Sequence, residues 1–149
     1  MTKETKSRFA YVTYIRTTQQ KLWDALTKPE FQKIYWGAVQ DSTFEKGASW
    51  KMTGADSGTL FDSGEILESD PPRKLVIKWQ NEWKPELKAE GYSRCTYDIS
   101  EEKGVIKLTV THESEVENAQ LIVAVGGGWP KILSNLKSWL ETGESLPKS

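Results

Sequence analysis

A single cysteine and a single histidine in 149 residues leave little room for two common kinds of chemistry. Cys95 has no partner for an internal disulfide, and no CxxC or Cys/His spacing supplies a zinc set, so no metal site and no disulfide framework are expected. A reducing, cytoplasmic setting fits that usage. Charge of one sign is lacking too: 20 Lys and Arg stand against 21 Asp and Glu, a net charge of −1. Without a basic stripe to neutralise phosphates, nucleic acid is not an expected partner. No apolar run approaches the roughly 20 residues of a membrane span, and the chain starts Met-Thr-Lys-Glu-Thr-Lys-Ser-Arg, so neither insertion nor secretion is expected. Repeats and low-complexity linkers are also missing. Residues 8–143 therefore read as one domain, with 1–7 and 144–149 as flexible tails.

What is plentiful is aromatic surface: seven Trp, five Tyr and four Phe. Indoles in excess either fill a core or line a pocket, because each offers a broad apolar face and one donor. Their places follow from the pattern of the chain. Residues 8–16 are β-branched and aromatic without a breaker, a first strand. Thr17 with Gln20 three positions on reads as a capping box, and Leu22, Trp23 and Leu26 at helical spacing give a short helix. Pro29 opens a second, with Phe31, Ile34 and Tyr35 on one side and Trp36-Gly37 at its end.

From 38 to 113, Gly, Asp and Pro recur about every ten residues, the rhythm of an antiparallel meander. The strands are expected at 38–44, 48–54, 58–68, 73–80, 91–100 and 104–113, with 81–90 a longer loop. Alternation puts Leu75, Ile77, Trp79, Cys95, Tyr97, Ile99, Ile106, Leu108, Val110 and His112 on one covered face. Lys78, Arg94, Thr96, Asp98, Lys107, Thr109 and Thr111 should face water. Trp129, Ile132, Leu133, Leu136, Trp139 and Leu140 then define a long C-terminal helix closed by Gly143. Gly126-Gly127-Gly128-Trp129-Pro130 should bend that helix or separate it from a shorter one at 117–125. A sheet with one apolar face and one late helix to cover it gives an α+β, helix-grip fold: a curved antiparallel sheet wrapped around the C-terminal helix, with two short helices after the first strand.

Several residue groups resemble one family. They are Leu22-Trp23-Asp24-Ala25-Leu26-Thr27-Lys28-Pro29-Glu30, Asp70-Pro71-Pro72-Arg73-Lys74-Leu75, Leu108-Thr109-Val110-Thr111-His112, and Gly128-Trp129-Pro130 through Leu136 to Gly143. Together and in order, over roughly residues 10–143, they look like stand-alone bacterial proteins similar to the C-terminal domain of the activator of heat-shock protein 90 ATPase. Those proteins belong to the START-like (SRPBCC) superfamily, which also holds lipid-transfer domains and polyketide cyclases. The resemblance implies the helix-grip fold and a cleft beneath the helix, and it brings a stress-response context with it.

The candidate ligand-binding residues are Trp50, Met52, Trp79 and Trp129 as an apolar lining, Tyr97 as a hydroxyl to orient a ligand, and Trp36 at the mouth. Trp83 also falls at an element end, and Trp139 reads as packing. His112, last in its apolar row, should point into or near the cleft. A buried neutral imidazole is the commoner arrangement, and no Asp or Ser is assigned beside it; the catalytic alternative has it act as an acid or base. The triple glycine lacks the preceding strand and the Lys-Ser/Thr of a phosphate loop, so close approach of helix to sheet is its expected role. Glu113, Glu115 and Glu117 read as a solvated entry to the helix rather than a cation site.

The expected function is binding of a small, largely apolar molecule (a lipid, polyketide or aromatic) between sheet and helix, without a cofactor. One alternative is a co-chaperone-like module acting on a heat-shock protein 90 homologue. The other is a cyclase or dehydratase that uses His112 in the same pocket.

Overall fold

The computed structural model describes residues 4–146. The chain opens with strand β1 (Ser7–Ile15), helices α1 (Gln19–Thr27) and α2 (Pro29–Tyr35), and strands β2 (Ala38–Asp41), β3 (Ser49–Gly54), β4 (Leu60–Asp70) and β5 (Lys74–Asn81). A one-turn helix α3 (Pro85–Lys88), strands β6 (Ser93–Glu102) and β7 (Val105–Ser114) and the long helix α4 (Gln120–Thr142) complete it. The strands form one antiparallel sheet in the order β1-β7-β6-β5-β4-β3-β2. Each strand pairs with its neighbour in the chain except β1, which closes on β7. The sheet curls into a half-barrel and α4 lies in its concave face, the helix-grip arrangement.

The alternation read from the sequence is the alternation in space. Leu75, Ile77, Cys95, Tyr97, Ile99, Ile106, Leu108, Val110 and His112 are all buried on the concave side, against Trp129, Leu133 and Leu136 of α4. Thr96 is an exception to its expected exposure. In the centre of the sheet it is flanked in register by Val76 and Thr111, and those neighbours bury it.

Local structure corrects the sequence reading at several points. The cap of α1 is Thr18, whose Oγ1 accepts from the Lys21 N–H at 3.1 Å, while Gln20 turns to Asp24 instead of closing a box on Thr17. Strand β2 stops at Asp41 because the Ser42 hydroxyl accepts the Phe44 N–H in a tight turn, with Phe44 at φ 60°. The expected loop at 81–90 contains α3, started by Pro85 at its first position, where a missing N–H costs nothing.

Helix α4 is continuous through the glycines and Pro130. A Cβ on Gly126 would lie 3.3 Å from the Phe9 ring, so the helix approaches β1 closely there, and packing overrides the weak local propensity. The N-terminus of α4 has no side-chain cap of its own. Glu90, after α3, accepts from the backbone N–H groups of Gln120 at 2.8 Å and Leu121 at 3.0 Å. A carboxylate there satisfies orphan donors and faces the positive end of the helix dipole. It also ties α3 to α4. The other end closes on Gly143 in the left-handed conformation, as expected.

Residues 5–7 are paired as well: Thr5 Oγ1 donates to Glu113, the Lys6 N–H to Ser114 O, and the Ser7 hydroxyl to Val116 O. Residues 1–3 and 147–149 of the expected tails lie outside the described residues. Among the described residues no helix is long and apolar enough to cross a membrane, and no group of His, Cys, Asp and Glu is arranged to hold a metal ion.

Candidate functional site

A cleft of about 480 Å³ opens between the concave sheet and the first half of α4. The sheet contributes Met52 from β3, Phe61 and Asp62 from β4, and Trp79 and Asn81 from β5. Leu121, Ala124, Val125, Gly128, Trp129 and Ile132 form the helix wall. Trp36 and Gly37 after α2 close one end, and Trp83, Lys84 and Leu87 around α3 border the other. Gly128 sits one turn of helix after Ala124, so small residues on that stripe leave the space open. The size falls within the range of small-molecule sites, and the walls are mostly apolar.

Of the candidates named from sequence, Trp36, Met52, Trp79 and Trp129 line this cleft. Trp50, Tyr97 and His112 do not. They are fully buried behind the wall and support it. Trp50 lies against Trp79 with ring centroids 4.6 Å apart, and its indole donates to Gln40 Oε1 at 2.7 Å. Gly64 faces both Trp50 and Trp79 in the register of the three strands. The Tyr97 ring meets Trp129 edge-on at 6.0 Å. Its hydroxyl lies near Cys95 and Gln40 without a hydrogen bond of ordinary geometry, and burial raises its pKa well above the usual phenol value. The expected role for Tyr97, orienting a ligand, therefore gives way to support of the Trp129 wall. Trp83 lies at the rim, exposed and edge-on to Phe61 at 5.2 Å, whereas Trp139 packs on Phe31 and Tyr35 away from the cleft.

His112 is held on both nitrogens. Trp129 Nε1 is 3.4 Å from Nδ1, and Ser93 Oγ is 2.8 Å from Nε2. An indole can only donate, so Nδ1 accepts and the proton sits on Nε2. Ser93 must then accept from the histidine, and it gives its own proton to Trp79 O at 3.1 Å. This wiring is the reverse of a serine activated by histidine, in which the imidazole accepts the hydroxyl proton. Burial lowers the imidazole pKa to about 4, so the ring is neutral at physiological pH. Ser93 could have been found from sequence: it precedes Cys95, Tyr97 and Ile99 at the same period of two.

Asp62 is a charged cleft residue that the sequence reading does not name. It is buried, lines the cleft, and is held by one long hydrogen bond, from Asn81 Nδ2 at 3.4 Å. Its pKa is pushed up to about 6, first by burial; the Trp79 indole and the Asn81 amide pull the other way, and the Glu82 carboxylate adds to the rise. The Trp79 N–H nevertheless makes no hydrogen bond of ordinary geometry, leaving a buried donor unpaired. Alternation from the buried Ile66 points inward at Asp62, four residues earlier on the same strand, and that was the available signal.

A second hollow of about 620 Å³ lies between α2 and the C-terminal half of α4, lined by Lys33, Lys131, Ser134 and Asn135 among others. It is a surface groove between helices and has no wall from the sheet.

A curled antiparallel sheet gripping one long helix, with a cleft between them, is the architecture of the START-like (SRPBCC) class. Residues 16–141 match the family model for Activator of Hsp90 ATPase homolog 1-like protein, and the chain belongs to that family. Solved structures agree with the fold. The chain is similar to CalU16 from Micromonospora echinospora at 24% identity and a TM-score of 0.71, with 91% of this chain and 77% of that one covered. It is similar to MLL2253 from Mesorhizobium loti at 20% identity and a TM-score of 0.76, covering 90% and 96%. The Aha1 dimer from Colwellia psychrerythraea superposes at 16% identity and a TM-score of 0.73, covering 93% and 99%. No curated protein matches the chain significantly.

Proposed function

We propose that the protein binds a small, largely apolar molecule in the cleft between the sheet and α4. The observation that carries this reading is the cleft itself: about 480 Å³ walled by Trp36, Met52, Phe61, Trp79 and Trp129, in a chain of 149 residues. A domain of this size has no packing need for such a space, since interiors are otherwise filled to near crystal density. Supporting residues are fixed in turn. Trp79 and Trp129, which face the space, rest on Trp50, His112 and Tyr97 behind them. A wall held in this way is pre-organised, which lowers the ordering cost of taking up a ligand. Binding is favoured over chemistry at His112, because both ring nitrogens are engaged and the ring has no place on the cleft surface.

The test is an NMR titration of labelled protein against fatty acids, sterols, flavonoids and aromatic polyketides, with the seven indole N–H groups as reporters. Shifts concentrated on Trp36, Trp79 and Trp129 are the expected result. Shifts confined to outer-surface amides, or none at all, would overturn the reading. They would turn attention to the co-chaperone alternative, a module working through its exterior on a heat-shock protein 90 homologue.

A further inference from the structure

The geometry points to a ligand that is cationic as well as apolar: an aromatic or alicyclic amine whose ammonium group pairs with Asp62 while its body lies against the tryptophans. The inference rests on the ligand-binding reading above and adds the chemical class.

Three observations carry it. First, Asp62 is 7% exposed, yet it has no ion-pair partner among the described residues. Among the described residues its polar neighbours are neutral donors, the Asn81 amide at 3.4 Å and the Trp79 indole, which lowers its pKa without a hydrogen bond of ordinary geometry. A carboxylate in an apolar wall is costly when it lacks a partner, and an ammonium supplies both charge and donors.

Second, the cations nearby are engaged elsewhere. Lys88 pairs with Glu82 at 2.9 Å, and Glu82 also accepts from Ser63. Lys84 lies over the Trp83 ring, 5.6 Å from its centroid. The α4 wall carries no charged residue. Lys84 is exposed at the rim and Asp62 is buried in the wall, so the charge set within the cleft is that of Asp62, which favours a cation over an anion there.

Third, Asp62 shares the cleft with Trp36, Trp79 and Trp129, whose rings contact one another. Trp36 and Trp129 are 5.5 Å apart, and Trp79 and Trp129 are 6.1 Å apart. Aromatic walls beside a carboxylate are the surroundings in which a cation gains from both ion pairing and ring quadrupoles. Asp62 is ionised at neutral pH, since its raised pKa of about 6 still lies below 7.

The experiment compares three probes of one shape, naphthylmethylamine, methylnaphthalene and naphthoate, titrated at neutral pH and followed by the indole N–H shifts. The amine is expected to bind at least about tenfold more tightly than the hydrocarbon, and naphthoate more weakly than either. In Asp62→Asn, which keeps the shape of the side chain, the amine should lose that advantage while the hydrocarbon binds within about twofold of its original affinity. Equal binding of amine and hydrocarbon, or tightest binding of naphthoate, would overturn the cationic assignment and leave the apolar-ligand reading standing. Loss of hydrocarbon binding in Asp62→Asn would overturn it as well, by making Asp62 a structural residue. If none of the three probes shifts Trp36, Trp79 or Trp129, the ligand-binding reading itself fails, and this one with it.

Discussion

Trp129 Nε1 lies 3.4 Å from Nδ1 of His112, and through that contact the helix wall of the cleft and the buried floor of the sheet become one polar network. The network runs on through Ser93 to the backbone of Trp79, the opposite wall. His112 thus acts as a spacer that holds two indoles at fixed separation. His112→Phe, similar in size, would leave the Trp129 N–H and the Ser93 hydroxyl short of a partner. We expect destabilisation of about 2 to 3 kcal/mol in urea unfolding and an upfield move of the Trp129 indole proton. An unchanged unfolding midpoint would mean that the network is idle.

The two buried titrating groups should nearly cancel in acid. His112 has a folded pKa of about 4 against 6.5 in the unfolded chain, so between those values the unfolded state binds more protons and stability falls as the pH drops. Asp62 has a folded pKa of about 6 against 3.8, so in almost the same window the folded state binds more protons and stability rises as the pH drops. Each is worth about 3 kcal/mol across the window, with opposite sign. The intact protein should therefore show a flat unfolding midpoint between pH 6.5 and 4.5. Asp62→Asn should become less stable over that interval, and His112→Gln more stable. Parallel pH profiles in all three proteins would show that neither group titrates as its burial requires.

These two residues also mark how far the sequence could be read. His112 lies on the covered face that alternation predicts, because the period of two in β7 depends only on neighbours in the chain. Its displacement behind the cleft depends on where the Trp129 ring falls, seventeen positions along and across a loop. Asp62 occupies an inward position of β4, but with Ser63, Gly64 and Glu65 between it and Ile66 the row carries too little apolar character for alternation to mark it as buried. Helix α3 is one turn long and carries no periodicity to detect. The continuity of α4 through three glycines and a proline is settled by contact with Phe9, at the far end of the chain.

The glycines of the fold divide into those that packing requires and those it does not. A Cβ on Gly64 would fall 1.6 Å from the Lys78 carbonyl oxygen, a backbone atom that cannot step aside, so Gly64→Ala should cost at least about 3 kcal/mol or prevent folding. Gly127, in the middle of α4, meets nothing within 4 Å. Gly127→Ala should stabilise by about 1 kcal/mol through helix propensity alone. Thermal unfolding of the pair is the check. Similar losses in both would place a strict close approach at Gly127 that the packing does not contain.

Glu90 couples the rim of the cleft to the start of α4 through its two backbone acceptances, and removing them isolates the rim. Glu90→Ala should cost about 1 kcal/mol, the usual worth of a helix cap together with a charge at the dipole's positive end. The local effect should exceed the global one. Among the described residues no other hydrogen bond joins α3 to α4, so without the carboxylate the amides of Gln120 and Leu121 and those of Leu87 and Lys88 should exchange with solvent faster than the sheet amides. Glu90→Gln keeps an acceptor oxygen and should recover part of the protection. If hydrogen exchange in α3 and at the start of α4 is unaltered by either substitution, the rim is held by apolar packing and not by Glu90.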